Sequence, residues 1–310
     1  MNDTVHGHMV QDLLRHRFGS HDNLICKYSS KYPVQAEREF QRLTNAYIRI
    51  LNELLKEYLP EIRDAARAEC EAGQRHDDAS DLIAKVKTVF SKMTVELERR
   101  TSMFGLRSKI ESMAKLTRKL SIREWKKAVK STLGIDLMDD YYNGDFYEEA
   151  LRRWVDENIS KIKSIPNETL GSMREIILDG FKKGRTVTDI SKEIQQVYGV
   201  TRRKAQALAR DQVGSLNAQL SKLQQKDAGC TKYRWSSSKD SRVRDCHRAL
   251  DGKTFDWDDP PEMWYETKSG RVYTGRHCHP GEDYLCRCVA IPVFDYDTVN
   301  VPMQKSDKKG

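Results

Sequence analysis

The segment HCHPGEDYLCRC at residues 277–288 brings together His277, Cys278, His279, Cys286 and Cys288, although the chain has only seven cysteines and eight histidines. This constrains folding because the surrounding residues, 229–294, are few and rich in turn formers. A stretch of that size buries little apolar surface, and small modules of this kind commonly depend on a staple. Cys246 and His247 extend the inventory to six candidate ligands for the four positions of a tetrahedral zinc ion: Cys246, His247, Cys278, His279, Cys286 and Cys288. Alternate residues of an extended strand face one side, so Cys286 and Cys288 can offer two sulfurs to one ion. The expected set is His247, His279, Cys286 and Cys288, with Cys246 and Cys278 as alternatives. Structural Zn2+ there would add folding energy that apolar burial cannot supply. The competing reading makes these cysteines small buried hydrophobes and the histidines hydrogen-bonded members of the fold.

Seven is an odd number, so a fully paired disulfide framework is impossible. The first twenty residues, MNDTVHGHMVQDLLRHRFGS, scatter charges through their apolar positions and lack the core of a secretory signal. No run approaches the ~18 apolar residues of a membrane span. The expectation is a reducing compartment, where clustered thiols point to metal before disulfides. Catalysis finds less support. Cys246 and His247 are sequence neighbours on a turn, an arrangement that rarely aims one side chain at the other. Asp240, Asp245, Asp251 and Glu282 could assist His247 in a hydrolase. Yet the sequence holds no phosphate-binding glycine loop, no HExxH and no GxSxG. A non-enzymatic protein is expected.

Upstream the pattern is helical. Phe40, Leu43, Tyr47, Ile50, Leu54 and Tyr58 recur at three- and four-residue steps, and Pro60 suits the first turn of a following helix. Further stripes run through Leu82–Leu97 and Ser102–Leu120. Ser121 in SIRE reads as a cap. Another helix stops before Pro166, and the pattern resumes to Gly184 as a C-cap. Thr188 reads as an N-cap, and after a turn at Gly199 a long helix spans Thr201–Asp227. At Ala228–Gly229 the grammar changes: TKYRWSS alternates like a strand, HRAL reads as a helical turn, SGRVYTG as a hairpin arm and CVAIPVF as a closing strand. With 38% hydrophobic and 32% charged residues, one-striped helices are favoured over a thick core. The expected class is α+β, a mainly elongated α-helical body followed by a small, loop-rich, β-containing C-terminal module. The expected divisions are 1–119, 120–228 and 229–296, with a disordered tail at 297–310, whose final QKSDKKG has no apolar residue.

The net charge of +8 is local. Between Thr201 and Arg244 eleven basic residues face three acidic ones, which accounts for the whole excess. Such a stretch suits a phosphate-binding surface, with Arg202, Arg203, Lys204, Arg210, Lys222 and Lys226 as candidate nucleic-acid contacts. The plainer alternative is a solvated helix face.

Three segments in order, ALARDQVGSLN, RVRDCHRALDGKTF and HPGEDYLCRCVAIPV, resemble the Mu F-like head-morphogenesis family of tailed bacteriophages. Ala209, Arg210, Asp211 and Gln212 match the start of that family's closing helix. His247, Leu250, Asp251, Gly252, Phe255, Gly281, Cys286, Arg287 and Cys288 fall on its LDG turn and terminal CRC strand. Arg244 and His247 stand where many relatives have CxxC. The resemblance spans roughly residues 120–294 and is most specific from about residue 205. It implies a minor capsid protein located in the virion interior, and in the host cytoplasm during assembly. Implied partners are the portal protein, capsid and scaffold proteins, and double-stranded DNA contacted without sequence preference; no membrane is implied. It also implies a part in procapsid assembly and in genome packaging or ejection. A zinc-stabilised DNA-binding or nuclease-like protein acting outside a virion is the rival expectation.

Overall fold

A computed structural model describes residues 5–19, 23–71, 79–138, 140–183 and 185–303. It is α+β, a helical body with a small C-terminal sheet region, as expected. The helices are α1 (Val5–Phe18), α2 (Val34–Glu71), α3 (Ala79–Met103), α4 (Leu106–Leu133), α5 (Asp145–Lys182), α6 (Val187–Asp227) and the short α7 (Asp245–Leu250). The strands are β1 (Leu24–Ile25), β2 (Lys232–Ser236), β3 (Thr254–Asp256), β4 (Glu262–Thr267), β5 (Gly270–His277) and β6 (Val289–Phe294). Among the described residues, no helix is long and apolar enough to cross a membrane.

Two compact units divide the chain, and neither is continuous in sequence. One comprises Arg38–Ser112 and Val155–Arg210; the other comprises the residues up to Glu37, Met113–Trp154 and everything from Asp211. The expected divisions at 119/120 and 228/229 do not coincide with these units, because four long helices each contribute to both.

The first unit is all helix. Its core joins Leu51, Leu54, Phe90, Met93, Met173 and Ile177, so the stripes read from the sequence are indeed buried faces. The punctuation was misleading. Pro60 lies inside α2 and Pro166 inside α5. An interior proline costs about 3 kcal/mol, but buried residues stand on both sides of each: Leu55 and Ile62, then Ile162 and Leu170. Gly199 likewise lies within α6, where the Thr201 hydroxyl donates to Val197 O and meets Thr169 Oγ1 at 3.0 Å. The cap of α6 is Thr186, whose Oγ1 accepts from the Asp189 amide, so Thr188 is helical. Ser121 is also interior to its helix. Gly184 lies outside the described residues.

The second unit holds the sheet, in the order β1-β6-β2-β3, all antiparallel. Every residue of β6 is buried, which its unbroken apolar run VAIPVF requires. Tyr233 and Trp235 share the inner face of β2, each with no exposed surface. β1 has two residues, too few for any alternation to announce it. β4 and β5 form a separate hairpin. The expected tail needs correction: Val299 and Val301 are fully buried, and Asn300 N donates to Ala228 O. Gly229, at φ 77°, admits this return, since a Cβ there would lie 1.9 Å from Thr298 O. Residues 304–310 lie outside the described residues.

Candidate metal centre

The second half of α6 builds the platform. Its Gly214 lies so close to the loop at 281–288 that a Cβ would meet Cys286 O at 2.9 Å. Gly281, at φ 88°, sits over Ala218 in the same way. Asp211 Oδ1 accepts from Leu285 N at 2.9 Å and holds Leu285 at φ 56°, a conformation a branched residue rarely adopts. The ARDQVGSLNA stretch therefore supplies a carboxylate and two small residues on one helix face, to receive the CRC loop. Opposite, Asp251 of the LDG turn accepts from Ser237 N at 2.7 Å, and Gly252 N donates to Trp235 O. That turn fixes α7 beside β2.

These supports bring three predicted ligands together. His247 Nδ1 lies 3.5 Å from Cys286 Sγ and 3.6 Å from Cys288 Sγ. Their ligand atoms all fall within 4.8 Å of one another, and all three residues are buried. Among the described residues no other group of three or more histidine, cysteine or carboxylate ligands converges in this way. The two cysteines project inward, and Arg287 between them projects outward. Its Nη2 and Nε donate to the two oxygens of buried Glu37, at 2.7 and 3.1 Å. The spacing C-R-C, which lies in the loop leading into β6 and not in the strand expected from the sequence, thus serves two structural demands on opposite sides of the chain.

The electrostatics favour a thiolate. The Cys288 thiol beside it, with His247, brings Cys286 down to about 5 against the penalty of burial. Cys288, next to that sulfur and buried, is driven up. Burial pushes His247 down, but Asp283 and Cys286 outweigh it and raise the ring to about 9. Asp283 Oδ2 stands 3.3 Å from His247 Nε2, although the N–H is not aligned for a hydrogen bond. Burial opposes ionisation of Asp283, yet His247, Arg244 at 3.2 Å and Arg276 at 3.0 Å hold it at about 2. Arg244, Arg276 and Asp283 were not anticipated. Their only sequence signal is spacing, Arg244 standing three residues before His247 and Asp283 three before Cys286.

His279 departs from the expected set. Its Nδ1 meets Tyr233 Oη at 3.0 Å, its Nε2 meets Lys222 Nζ at 3.1 Å, and its ring packs on Trp257. Burial lowers its pKa, in keeping with a neutral ring that accepts from the Lys222 ammonium. The residue following Cys278 is thus turned into the aromatic core and does not join the thiols. Cys246 and Cys278 also stand outside the converging trio, their thiols raised by burial. The carboxylates considered for hydrolysis have other partners: Asp245 pairs with Arg248, Asp251 with Ser237 N, Glu282 with His279 N, and Asp240 with Arg242 and Arg287.

The six basic residues considered for nucleic acid fall in both units. Arg202, Arg203, Lys204 and Arg210 belong to the helical unit, and the first three are exposed. Lys222 and Lys226 belong to the sheet unit, where Lys222 contacts His279 and Lys226 pairs with Asp258 at 2.7 Å.

Comparison with known proteins places this geometry. The chain is 34% identical over 167 residues to an uncharacterized protein of Haemophilus influenzae, a match covering 54% of this chain and 34% of that protein. It therefore spans about a third of the length of that curated relative. No solved structure matches. Residues 172–291, which hold the α6 platform, the LDG turn and the CRC loop, match the family described as Phage Mu protein F like protein. Through that region the chain is similar to the phage Mu F-like family.

Proposed function

We propose that this protein is a head-morphogenesis protein of a tailed phage, a minor capsid component that acts by assembly and not by catalysis. The observation that carries the reading is the family match across residues 172–291. The burial of the His247, Cys286 and Cys288 side chains supports it, since a cluster closed to solvent suits a staple better than a site of turnover. In this reading the protein enters the procapsid through the portal protein, with capsid and scaffold proteins as further partners. It resides inside the virion and influences genome packaging or ejection. Arg202, Arg203 and Lys204 contact double-stranded DNA through phosphates, so that binding is insensitive to sequence and falls steeply with salt.

The cluster supplies three of the four ligands that a structural zinc ion takes. Bonds of about 2.3 Å to sulfur and about 2.0 Å to nitrogen at tetrahedral angles separate the two donor types by roughly 3.5 Å. The observed separations are 3.5 and 3.6 Å. Bound there, zinc supplies cross-linking between α7 and the CRC loop. Asp283, beside the far nitrogen of His247, orients the ring so that Nδ1 faces the sulfurs.

Co-expression with the portal protein of the same phage tests the reading. Recovery of the two in one complex, with no metal-dependent nicking of plasmid by the purified chain, is expected. Plasmid cleavage abolished by His247→Ala would instead favour a nuclease-like protein acting outside a virion.

A further inference from the structure

The sheet unit contains a second polar feature, remote from the thiol cluster in its chemistry. A cleft of about 620 Å³ opens between the loop at residues 29–33, α4, the end of β2 and the loop at residues 237–240. That volume falls within the range of small-molecule sites, roughly 300–1,000 Å³. Serine hydroxyls from both loops line it, together with the cations Lys31, Arg123, Lys239 and Arg287.

The two carboxylates on its wall are already engaged. Glu124 Oε2 accepts from Tyr28 Oη at 2.7 Å and from Lys31 N at 3.0 Å, while Oε1 lies 3.3 Å from Lys127. Asp240 Oδ1 accepts from Arg242 N at 2.9 Å, and Oδ2 lies 3.5 Å from the Arg242 guanidinium and 3.8 Å from Arg287. Among the described residues, neither Lys31 nor Lys239 has a carboxylate within 4.0 Å. Arg123 has only Glu124, at 3.7 Å. The cleft therefore presents three weakly compensated cations and several hydroxyl donors, while the negative groups beneath are held by other protein atoms. Lys239 takes φ 55°, an unusual conformation for a lysine, at the point where its loop borders the cleft.

Cations and hydroxyls converging on a concave wall are the chemistry that recognises phosphate. We infer that this cleft binds a phosphate group borne by a ligand of nucleotide size, with Lys31, Arg123 and Lys239 as its charged contacts. The inference does not depend on the assembly role or on zinc. A free nucleotide and inorganic phosphate share the recognised group, so the test uses both.

The full-length chain is titrated calorimetrically at low salt with inorganic phosphate and with deoxyadenosine monophosphate, beside the Lys31→Ala/Lys239→Ala double variant. Both lysines are exposed, so the variant should retain the wild-type melting temperature and metal content. Expected is binding weakened on the order of tenfold or more, about 1.4 kcal/mol per decade. Lys268→Ala, at the distant β4–β5 turn, should leave binding unchanged. Tighter binding of the nucleotide makes it the occupant, and equal binding makes the phosphate alone the recognised group; either supports the site. No binding of either anion, or an equal loss in Lys268→Ala, would overturn it.

Discussion

Asp283 Oδ2 stands 3.3 Å from His247 Nε2, on the opposite side of the ring from the two sulfurs. A buried carboxylate at that distance favours the proton on Nε2 electrostatically and so leaves Nδ1 toward the sulfurs, and partners of ligating histidines typically influence affinity by 10- to 100-fold. Asp283→Asn should therefore weaken zinc retention by about that factor without removing a ligand. Competition with a chromogenic chelator measures it. Unaltered retention would show that Asp283 merely neutralises Arg244 and Arg276.

Gly214 and Gly171 make opposite predictions, although both are helical glycines. A methyl at Gly214 meets backbone, Cys286 O at 2.9 Å, whereas one at Gly171 meets nothing within 4 Å. Gly214→Ala should cost about 1–3 kcal/mol through overpacking. Gly171→Ala should stabilise by roughly 0.5–1 kcal/mol, the ordinary helix preference. Urea unfolding of the two variants decides the matter, and equal effects would contradict the close seating of the CRC loop on α6.

Arg287 and Glu37 form a two-pronged pair whose side chains are 19% and 4% exposed. Removing one member leaves a charge buried without its partner, at a cost of about 3–5 kcal/mol. Arg287→Ala should approach that loss, while Arg287→Met combined with Glu37→Leu should recover most of it. A double variant as unstable as the single would mean that Arg287 serves chiefly through contacts other than Glu37.

Asp227 gives a pH dependence. Although the residue is exposed at the end of α6, its carboxylate accepts from Tyr141 Oη at 3.2 Å and Tyr147 Oη at 3.4 Å, and partial desolvation there raises its pKa above the ordinary 3.8. The folded chain thus holds this proton more tightly than the unfolded one. Its contribution to stability is fully present below pH 3.8 and is lost as pH rises through the raised value. Asp227→Asn, which mimics the protonated state, should gain on the wild type in that window and hold the advantage at neutral pH. Thermal melts across pH 3–7 would show it, and a constant difference at every pH would contradict it.

The strands and the thiol pair were legible because their signals are local. Tyr233 and Trp235 alternate across β2, and two cysteines one residue apart on extended chain must face one side. Pro60, Pro166 and Gly199 misled because stop signals are local too, and burial along α2, α5 and α6 overrode them. His279 misled differently. Spacing placed it near Cys286, but only three dimensions show that Tyr233, Trp257 and Lys222 enclose it. Asp283 was invisible for the same reason, since its guanidinium partners come from residues 244 and 276. The return of Val299 and Val301 to the sheet unit depends on Gly229, seventy residues upstream of Val299, and no window of sequence contains both.

The central claim is that His247, Cys286 and Cys288 hold one zinc ion that staples α7 to the CRC loop. Elemental analysis of freshly purified chain, prepared without chelator, tests it most directly alongside the Cys286→Ser/Cys288→Ser variant. The account predicts near-stoichiometric zinc in the wild type, background levels in the variant and a lower melting temperature for the variant. Wild-type protein that is folded, has fully reduced thiols and holds no metal would contradict it.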